Sequence, residues 1–250
     1  MSGADIVLIG VAGLLSGIIN TIAGGGSLIL FPALIATGIP SLPANVTNSV
    51  AGWPGYVGGV VGFRRELADQ RDRLRALAMV TIAGATTGSV LLLVTPESTF
   101  DVLVPGLVLV ASVLVGIQPV LKRRLGPPAE GGAHARRVLL VSVFAATVYG
   151  GYFGGGLGII VLAVLTLTVP DTLERLTALK SAVALINSSV TVVIFGLAGP
   201  VRWEAVAVAV PTTLLGGYLG ASIARALNET ALRTFIVAFG VGVAVYLAVR

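Results

Sequence analysis

The sequence predicts an all-α, polytopic integral membrane protein built from two pseudo-symmetric halves. Of its 250 residues, 56% are hydrophobic and only 11% are charged, which is too apolar a composition for a soluble domain. Apolar runs of roughly 17–22 residues, the length of a bilayer-spanning helix, recur from Ile6 to Val249. Similar motifs return in the second half of the chain, which indicates an internal repeat. The expected surroundings are therefore a lipid bilayer.

Basic residues are concentrated in the connections between the apolar runs. The formal net charge is +5, but Lys and Arg are not interleaved with stacking aromatic residues, so nucleic acid is not an expected partner. Most of them lie in two connections, a distribution that places both connections in the cytoplasm. The first connection contains Arg64, Arg65, Arg71, Arg73 and Arg75, and the second contains Lys122, Arg123, Arg124, Arg136 and Arg137.

Residues for catalysis are scarce. The sequence contains no cysteine, which excludes thiol chemistry and cysteine metal sites. It has no P-loop for ATP, and its Asp and Glu residues lie at or near the ends of the apolar segments. We therefore expect no enzymatic activity, no metal and no cofactor.

Self-comparison aligns two glycine-rich stretches. GGGSLILFPALIATGIP from Gly24 aligns with GGGLGIIVLAVLTLTVP from Gly154 at the three glycines, one Ile, one Ala and the final Pro. After an insertion of two residues the matches continue, for example Phe63 with Phe195. We predict a first transmembrane repeat over residues 1–121, a polar, basic, cytoplasmic linker over 122–137, and a second repeat over 138–250.

The first apolar stretch of each half is too long for one straight crossing. Residues 5–38 would form a helix of about 51 Å, against a hydrocarbon core of about 30 Å, so the helix must break at its glycines. A kink within one crossing gives eight transmembrane helices, whereas a turn between two short segments gives ten segments and inverted halves. The turn leaves only Arg202 and Arg250 outside the cytoplasm, as the positive-inside rule favours. Segment 27–37 is too short to cross a bilayer comfortably, which argues against the arrangement with ten segments.

The glycine-rich breaks are the first candidate binding site. A helix that begins at membrane depth presents free backbone N–H groups and a positive dipole end, both of which favour an anion. The alternative is that the glycines only permit close helix packing. The site predicted at the first break comprises Asn20, Thr21, Gly24, Gly25, Gly26 and Ser27. The site predicted at the second break comprises Tyr149, Tyr152, Gly154, Gly155 and Gly156.

The second candidate lies where the next segment of each half begins. The NVTNS motif contains Thr47 and Asn48, and the aligned ALKS motif contains Lys180 and Ser181. A lysine inside an apolar helix needs water, a carboxylate or an anionic ligand. The alternative is a lysine whose flexible stem reaches the membrane interface. Leu179 aligns with Thr47, so the polar motif is not symmetric between the halves.

Residues 13–52, GLLSGIINTIAGGGSLILFPALIATGIPSLPANVTNSVAG, and the related stretch YGGYFGGGLGIIVLAVL resemble the sulfite exporter TauE/SafE family of membrane transporters. The resemblance covers essentially the whole chain, including its length and its duplicated halves. It implies a multi-pass permease of the cell membrane, usually described with eight helices. The implied substrates are sulfite, sulfoacetate or other sulfur-containing anions.

These features together predict a permease that carries a small anion by alternating access, with its two halves rocking about the site. A proton or a sodium ion is the candidate coupling ion, and a homo-oligomer is a candidate assembly. The alternative functions are an anion channel and a membrane sensor or scaffold. A channel needs a continuous polar path, and a scaffold needs an output domain, for which the connections here are short.

Overall fold

The computed structural model describes residues 1–22, 25–124, 133–223 and 229–249. Gly24, the side chain of Thr21 and residues 125–132, the middle half of the predicted 122–137 linker, lie outside the described residues. Within those ranges the chain is α-helical and contains no strand, as predicted. The helices are α1 Gly3–Ile22, α2 Ser27–Ala36, α3 Ser41–Gly62, α4 Arg64–Leu67, α5 Arg71–Val94, α6 Glu97–Arg124, α7 Ala133–Tyr152, α8 Leu157–Thr168, α9 Leu173–Ala198, α10 Trp203–Ile223 and α11 Glu229–Val249.

The helices and their outward faces suit a bilayer. In the described ranges, four stretches are long and apolar enough to cross it: Gly3–Asn20, Arg71–Val94, Glu97–Ile117 and Leu173–Ala198. Large apolar side chains stay exposed on the outside of the bundle, such as Val102 at 80% and Leu197 at 85%. A surface of this kind is stable in lipid and not in water. The chain is therefore a polytopic membrane protein.

The first predicted break is present, and it is a turn rather than a kink. α1 ends at Ile22, and α2 begins again at Ser27. α2 packs back along α1, and a groove between them is lined by Leu8 and Leu15 on α1 and by Ile29 and Ala36 on α2, among others. The second break has the same form, since α7 ends at Tyr152 and α8 packs against α7.

The first helices of the two halves begin at opposite ends of the bundle. The Met1 amino group lies 3.9 Å from Glu204 Oε2, so α1 begins beside the start of α10. At the other end, Arg73 Nη1 lies 2.6 Å from Asp171 Oδ2, just before α9. Arg136 near the start of α7 lines one cleft with Arg73. α1 and α7 therefore begin at opposite ends of the bundle, and Arg175 lies at the same end as Arg73, paired with Asp171.

Each half packs its first helix against the other half. α1 packs along α10, and α7 packs along α5. The buried apolar side chains form two clusters. The first draws mainly on α1, α2, α3, α6, α10 and α11, with Phe31 and Phe100 among its largest members. The described buried residues of the second belong to α5, α7, α8 and α9, together with Val169 at the end of α8, and Leu165 and Leu179 are fully buried in it. Both clusters therefore mix helices from the two halves.

Candidate functional site

A small pocket lies between α2, α3, the α7–α8 turn and α9, and we call it the central pocket. Its volume is about 30 Å³. Along the 26 residues of α9, its lining residues occupy the middle, between Ala184 and Thr191. The residues that line it are Ser27, Asn48, Ser49, Gly52, Tyr56, Gly150, Gly154, Leu157, Ala184, Asn187, Ser188 and Thr191.

Both helix breaks reach the central pocket. Ser27 is the first residue of α2, and Gly154 lies three residues before the start of α8. The first N–H groups of a helix have no acceptor within that helix, and they form its positive end. Gly154 and Gly156 have φ values of +81° and +78°, a left-handed conformation that residues with a Cβ rarely adopt. Two helix N-termini from different halves therefore flank one pocket.

Hydrogen bonds hold the second break in this shape. The Tyr149 hydroxyl donates to the Gly155 carbonyl oxygen at 2.7 Å. Asn45 Nδ2 donates to the Tyr152 carbonyl oxygen at 2.9 Å. The Tyr152 hydroxyl lies 3.4 Å from Oγ1 of Thr95, the residue that follows α5. Tyr149 and Tyr152 were predicted to line the site, but in this structure both support the turn and neither lines the pocket.

Two buried asparagines supply the amide groups of the central pocket. Asn48 on α3 and Asn187 on α9 are each 3% exposed. Asn187 Oδ1 is buried and has no hydrogen-bond partner among the described residues. A buried polar atom without a partner costs free energy, and since Oδ1 only accepts, its missing partner must donate a hydrogen, as water or a protonated ligand oxygen does. Asn20, predicted from the sequence, reaches the pocket indirectly through a side-chain hydrogen bond with the lining residue Tyr56.

The serine and threonine hydroxyls of the pocket divide into two sets. Ser49 and Thr191 donate to carbonyl oxygens of their own helices, at 2.9 Å and 2.8 Å. The hydroxyls of Ser27 and Ser188 form the second set and can donate to a ligand. The side-chain amides of the two asparagines can do the same. None of the described lining residues is acidic or basic. The lining is therefore polar but neutral, with its positive potential coming from the helix ends.

Three predicted residues lie outside the pocket lining. Thr47 is fully buried and accepts a hydrogen bond at 3.0 Å from the Arg202 backbone N–H, at the end of the bundle near Glu204. Ser181 donates to the Thr177 carbonyl oxygen of its own helix at 2.9 Å. The stem of Lys180 passes Gly158, where a Cβ would lie 3.5 Å from Lys180 Cδ. Lys180 is therefore placed beside the first turn of α8, one helical turn before Ala184.

The first-break glycines and the end of the second break also surround the pocket rather than line it. Gly25 packs near Val115 of α6, and Gly26 packs against the Ser16 carbonyl oxygen of α1. Gly155 and Gly156 pack against Ala111 of α6. These four glycines set the path of the chain around the pocket.

The site set predicted from the sequence leaves out Asn187, Ser188 and Thr191, although the sequence places all three on the polar face of the helix that carries Lys180. A signal was present, because Lys180, Ala184, Asn187 and Thr191 follow the three- and four-residue spacing of one helical face. The motif alignment drew attention to the start of α9 instead, where Ser181 lies. The inner part of that face, one to three turns further along, is the part that meets the pocket.

Comparisons with known proteins agree with this architecture. Residues 9–247 match the family model described as "Sulfite exporter TauE/SafE". The chain is 27% identical over 230 residues to a probable membrane transporter protein of Haemophilus influenzae, covering 90% of this chain and 87% of that protein. It is 26% identical to the Sinorhizobium probable membrane transporter protein ORF9, covering 95% and 90%.

A third relative is the probable membrane transporter protein YfcA of Escherichia coli, which is 25% identical over 226 residues and covers 90% of this chain and 82% of that protein. No solved structure matches the chain. The family match extends over nearly the whole sequence, from the first turns of α1 to the last turn of α11. The chain belongs to the sulfite exporter TauE/SafE family.

Proposed function

We propose that this protein is a membrane transporter that binds a small anion in the central pocket and carries it across the cell membrane. The observation that supports this most directly is the meeting of two helix N-termini from opposite halves at one buried, acid-free pocket. Helix N-termini aimed at a midplane site are a common way for transporters to bind anionic groups. The names of the family and its relatives support transport as the activity.

The pocket dimensions and donors favour a compact oxyanion, such as sulfite, as the substrate. A volume of about 30 Å³ accommodates very few atoms, so the pocket must widen to admit a larger sulfonate such as sulfoacetate. Asn48 and Asn187 offer N–H groups to the anion oxygens, and Ser27 and Ser188 offer hydroxyls. Hydrogen bonds to a charged acceptor are about twice as strong as neutral ones, so few are needed.

Of the basic residues on α9, Lys180 lies nearest to the central pocket. It lies on the helical face that leads from the pocket to the end of the bundle where Arg73 and Asp171 lie. The basic connections gather at that end, so the positive-inside rule makes it the cytoplasmic end. We propose that Lys180 raises the local concentration of the anion on the cytoplasmic approach to the pocket.

The bodies that move during alternating access differ from the sequence halves 1–121 and 138–250. α1 packs on α10 and α7 packs on α5, so rocking of one half against the other would break both of these contacts. The cluster of α5, α7, α8 and α9 forms one natural body. The cluster based on α1, α2, α3 and α10 forms the other. The central pocket lies between them, with Asn48 on one side and Asn187 on the other.

Flux measurements in proteoliposomes test this proposal. We expect saturable uptake of radiolabelled sulfite, and a fall of about tenfold or more in Asn187→Val, since the loss of one buried ligand contact costs about 1–3 kcal/mol. Thr177→Val is the matched control, because its hydroxyl bonds only to the Leu173 carbonyl of the same helix and lies outside the pocket. Full activity of a folded Asn187→Val variant would remove the pocket from the mechanism. Flux that never saturates, with a matching current, would indicate a channel.

A further inference from the structure

A second and larger cleft opens at the end of the bundle that carries the basic connections. Its volume is about 940 Å³, and it lies between α5, α7, the end of α8 and α9. None of its described lining residues belongs to the central pocket. We call it the basic cleft, because Arg73, Arg136 and Arg137 line it.

The basic cleft changes from charged to apolar along each helix that forms it. On α5, Arg73 is followed one turn later by Leu77. On α7, Arg137 is followed within one turn by Leu140 and Val141. All of these residues line the cleft, so the arginines form its rim and the aliphatic side chains form its inner wall. A site graded in this way matches an amphiphile with an anionic head and an apolar chain.

The charges at the rim are only partly balanced. Arg73 is paired with Asp171 at 2.6 Å. Arg136 and Arg137 are exposed and make no ion pair with other described residues. Asp72 is the one acidic residue among the described lining residues, and it lies 3.6 Å from Arg75. Counted over the described residues, the rim therefore has a net positive charge of about two arginines.

The cleft also faces lipid. Val141, which lines the cleft on α7, is 62% exposed on the outer surface of that helix. Leu77 itself is buried, so the cleft runs from the outer surface into the bundle. A lipid chain can reach its wall without leaving the bilayer, whereas a soluble anion would gain nothing from the aliphatic wall.

From these observations we infer that the basic cleft binds an anionic phospholipid. The phosphate lies at the rim with Arg136 and Arg137, and an acyl chain lies against Leu77, Leu140 and Val141. Basic pockets between helices on the cytoplasmic side suit such head groups, because each basic residue near the surface attracts the anionic phosphate. The bound lipid joins α5 to α7 and so stabilises the body formed by α5, α7, α8 and α9. This inference does not depend on the identity of the transported anion.

Thermal unfolding of the purified full-length protein in detergent, with native mass spectrometry, tests the lipid site. We expect phosphatidylglycerol to raise the melting temperature by several degrees more than phosphatidylcholine, with one anionic lipid retained per chain. The double variant Arg136→Gln/Arg137→Gln should lose this difference. The matched control Arg64→Gln/Arg65→Gln removes the same charge from exposed arginines of α4 that do not line the cleft, and it should keep the difference.

Two further arms separate the lipid from other ligands. Ala76→Trp fills the apolar wall without changing charge, and should weaken retention of phosphatidylglycerol by about tenfold; Leu139→Trp serves the same purpose if the first variant does not fold. Inorganic phosphate alone should give no stabilisation. If both double variants lost the difference between the two lipids equally, the anionic lipid would be held by general attraction to the basic surface, and the inference would be overturned. Full stabilisation by inorganic phosphate, or lipid retention undiminished in a folded Trp variant, would also overturn it.

Discussion

The side-chain amide of Asn45 donates a hydrogen bond of 2.9 Å to the carbonyl oxygen of Tyr152, across 107 residues of sequence. Tyr152 is the last residue of α7, so no backbone N–H of that helix donates to its carbonyl oxygen. Asn45 is fully buried on α3. The hydrogen bond therefore joins the break between α7 and α8 to α3, on which Asn45 lies three residues before Asn48 of the central pocket.

Replacing Asn45 tests the importance of this link. In Asn45→Val the Tyr152 carbonyl loses its donor, and we expect the free energy of unfolding to fall by about 1–3 kcal/mol. Thermal unfolding in detergent would measure the change. Thr87→Val is the control, since its exposed hydroxyl donates only to the Ala83 carbonyl of its own helix. A melting temperature equal to that of the control would show that the link contributes little.

The close approach of α5 and α7 gives a second prediction. A Cβ on Gly88 would collide with the carbonyl oxygen of Val148 and would lie 2.9 Å from the Tyr152 backbone nitrogen. Because the colliding atoms belong to the backbone, Gly88→Ala should destabilise the protein by about 1–3 kcal/mol.

Gly242→Ala is the matched control for this substitution. No atom lies within 4 Å of the position of its Cβ, so the change should be neutral or stabilising by up to about 1 kcal/mol through helix propensity. Melting temperatures of the two variants in one detergent compare them directly. Equal stability would mean that α5 and α7 are further apart than the structure places them.

Lys180 gives a prediction about transport rather than stability. Lys180→Gln keeps a long polar side chain beside Gly158 but removes the charge. We expect the KM for the anion to rise roughly fivefold, equivalent to about 1 kcal/mol, with a smaller change in the maximal rate. Arg65→Gln removes the same charge from the exposed helix α4 and should leave KM unchanged. Similar KM values for the two variants would assign Lys180 to the membrane interface instead.

Asp171 predicts a dependence of stability on pH. Partial burial acts to raise the pKa of Asp171, but hydrogen bonds from the Thr172 amide, Arg73 and Arg175 outweigh it, so the pKa lies below its ordinary value. A carboxylate with a lowered pKa stabilises the folded state above its unfolded pKa of about 3.9, and that stability is lost as the pH falls through the folded pKa.

We therefore expect a melting temperature that stays level from pH 7 to pH 5 and falls below about pH 4. Asp171→Asn should melt several degrees lower at pH 7, because hydrogen bonds to a charged group contribute about 1.5–3 kcal/mol. Between pH 5 and pH 3, the melting temperature of the variant should also fall less than that of the wild type. If both proteins lose the same amount on acidification, other carboxylates cause the effect.

The sequence was sufficient for the class of fold and for the positions of the breaks. Composition and the lengths of apolar runs predict membrane helices, and the glycines from Gly154 to Gly156 mark where α7 gives way to α8. Counting basic residues favoured a turn over a kink, and the packing of α2 along α1 shows the turn. These features depend on local composition and chain length, which a sequence displays directly.

The lining of the central pocket was harder to predict. Tyr149 and Tyr152 looked like ligand residues because they are polar and adjoin the break, but their hydroxyls lie within hydrogen-bonding distance of the chain itself. The sequence places Asn187 on the polar face that begins at Lys180, but it does not indicate that this inner part of the face, rather than its start at Ser181, meets the pocket. Which side chain faces a shared pocket depends on how helices from both halves cross, and no local pattern encodes that.

The packing of α1 on α10 also fixes the order in which the protein can mature. The ribosome completes α1 long before it reaches Gly216, the residue of α10 that packs against the Leu14 carbonyl. Until then the small-residue face of α1 must rest against lipid or an insertion factor. Native folding of the amino-terminal helices therefore waits for the last fifth of translation, and a ribosome that stalls earlier leaves an inserted chain without its lasting helix partner.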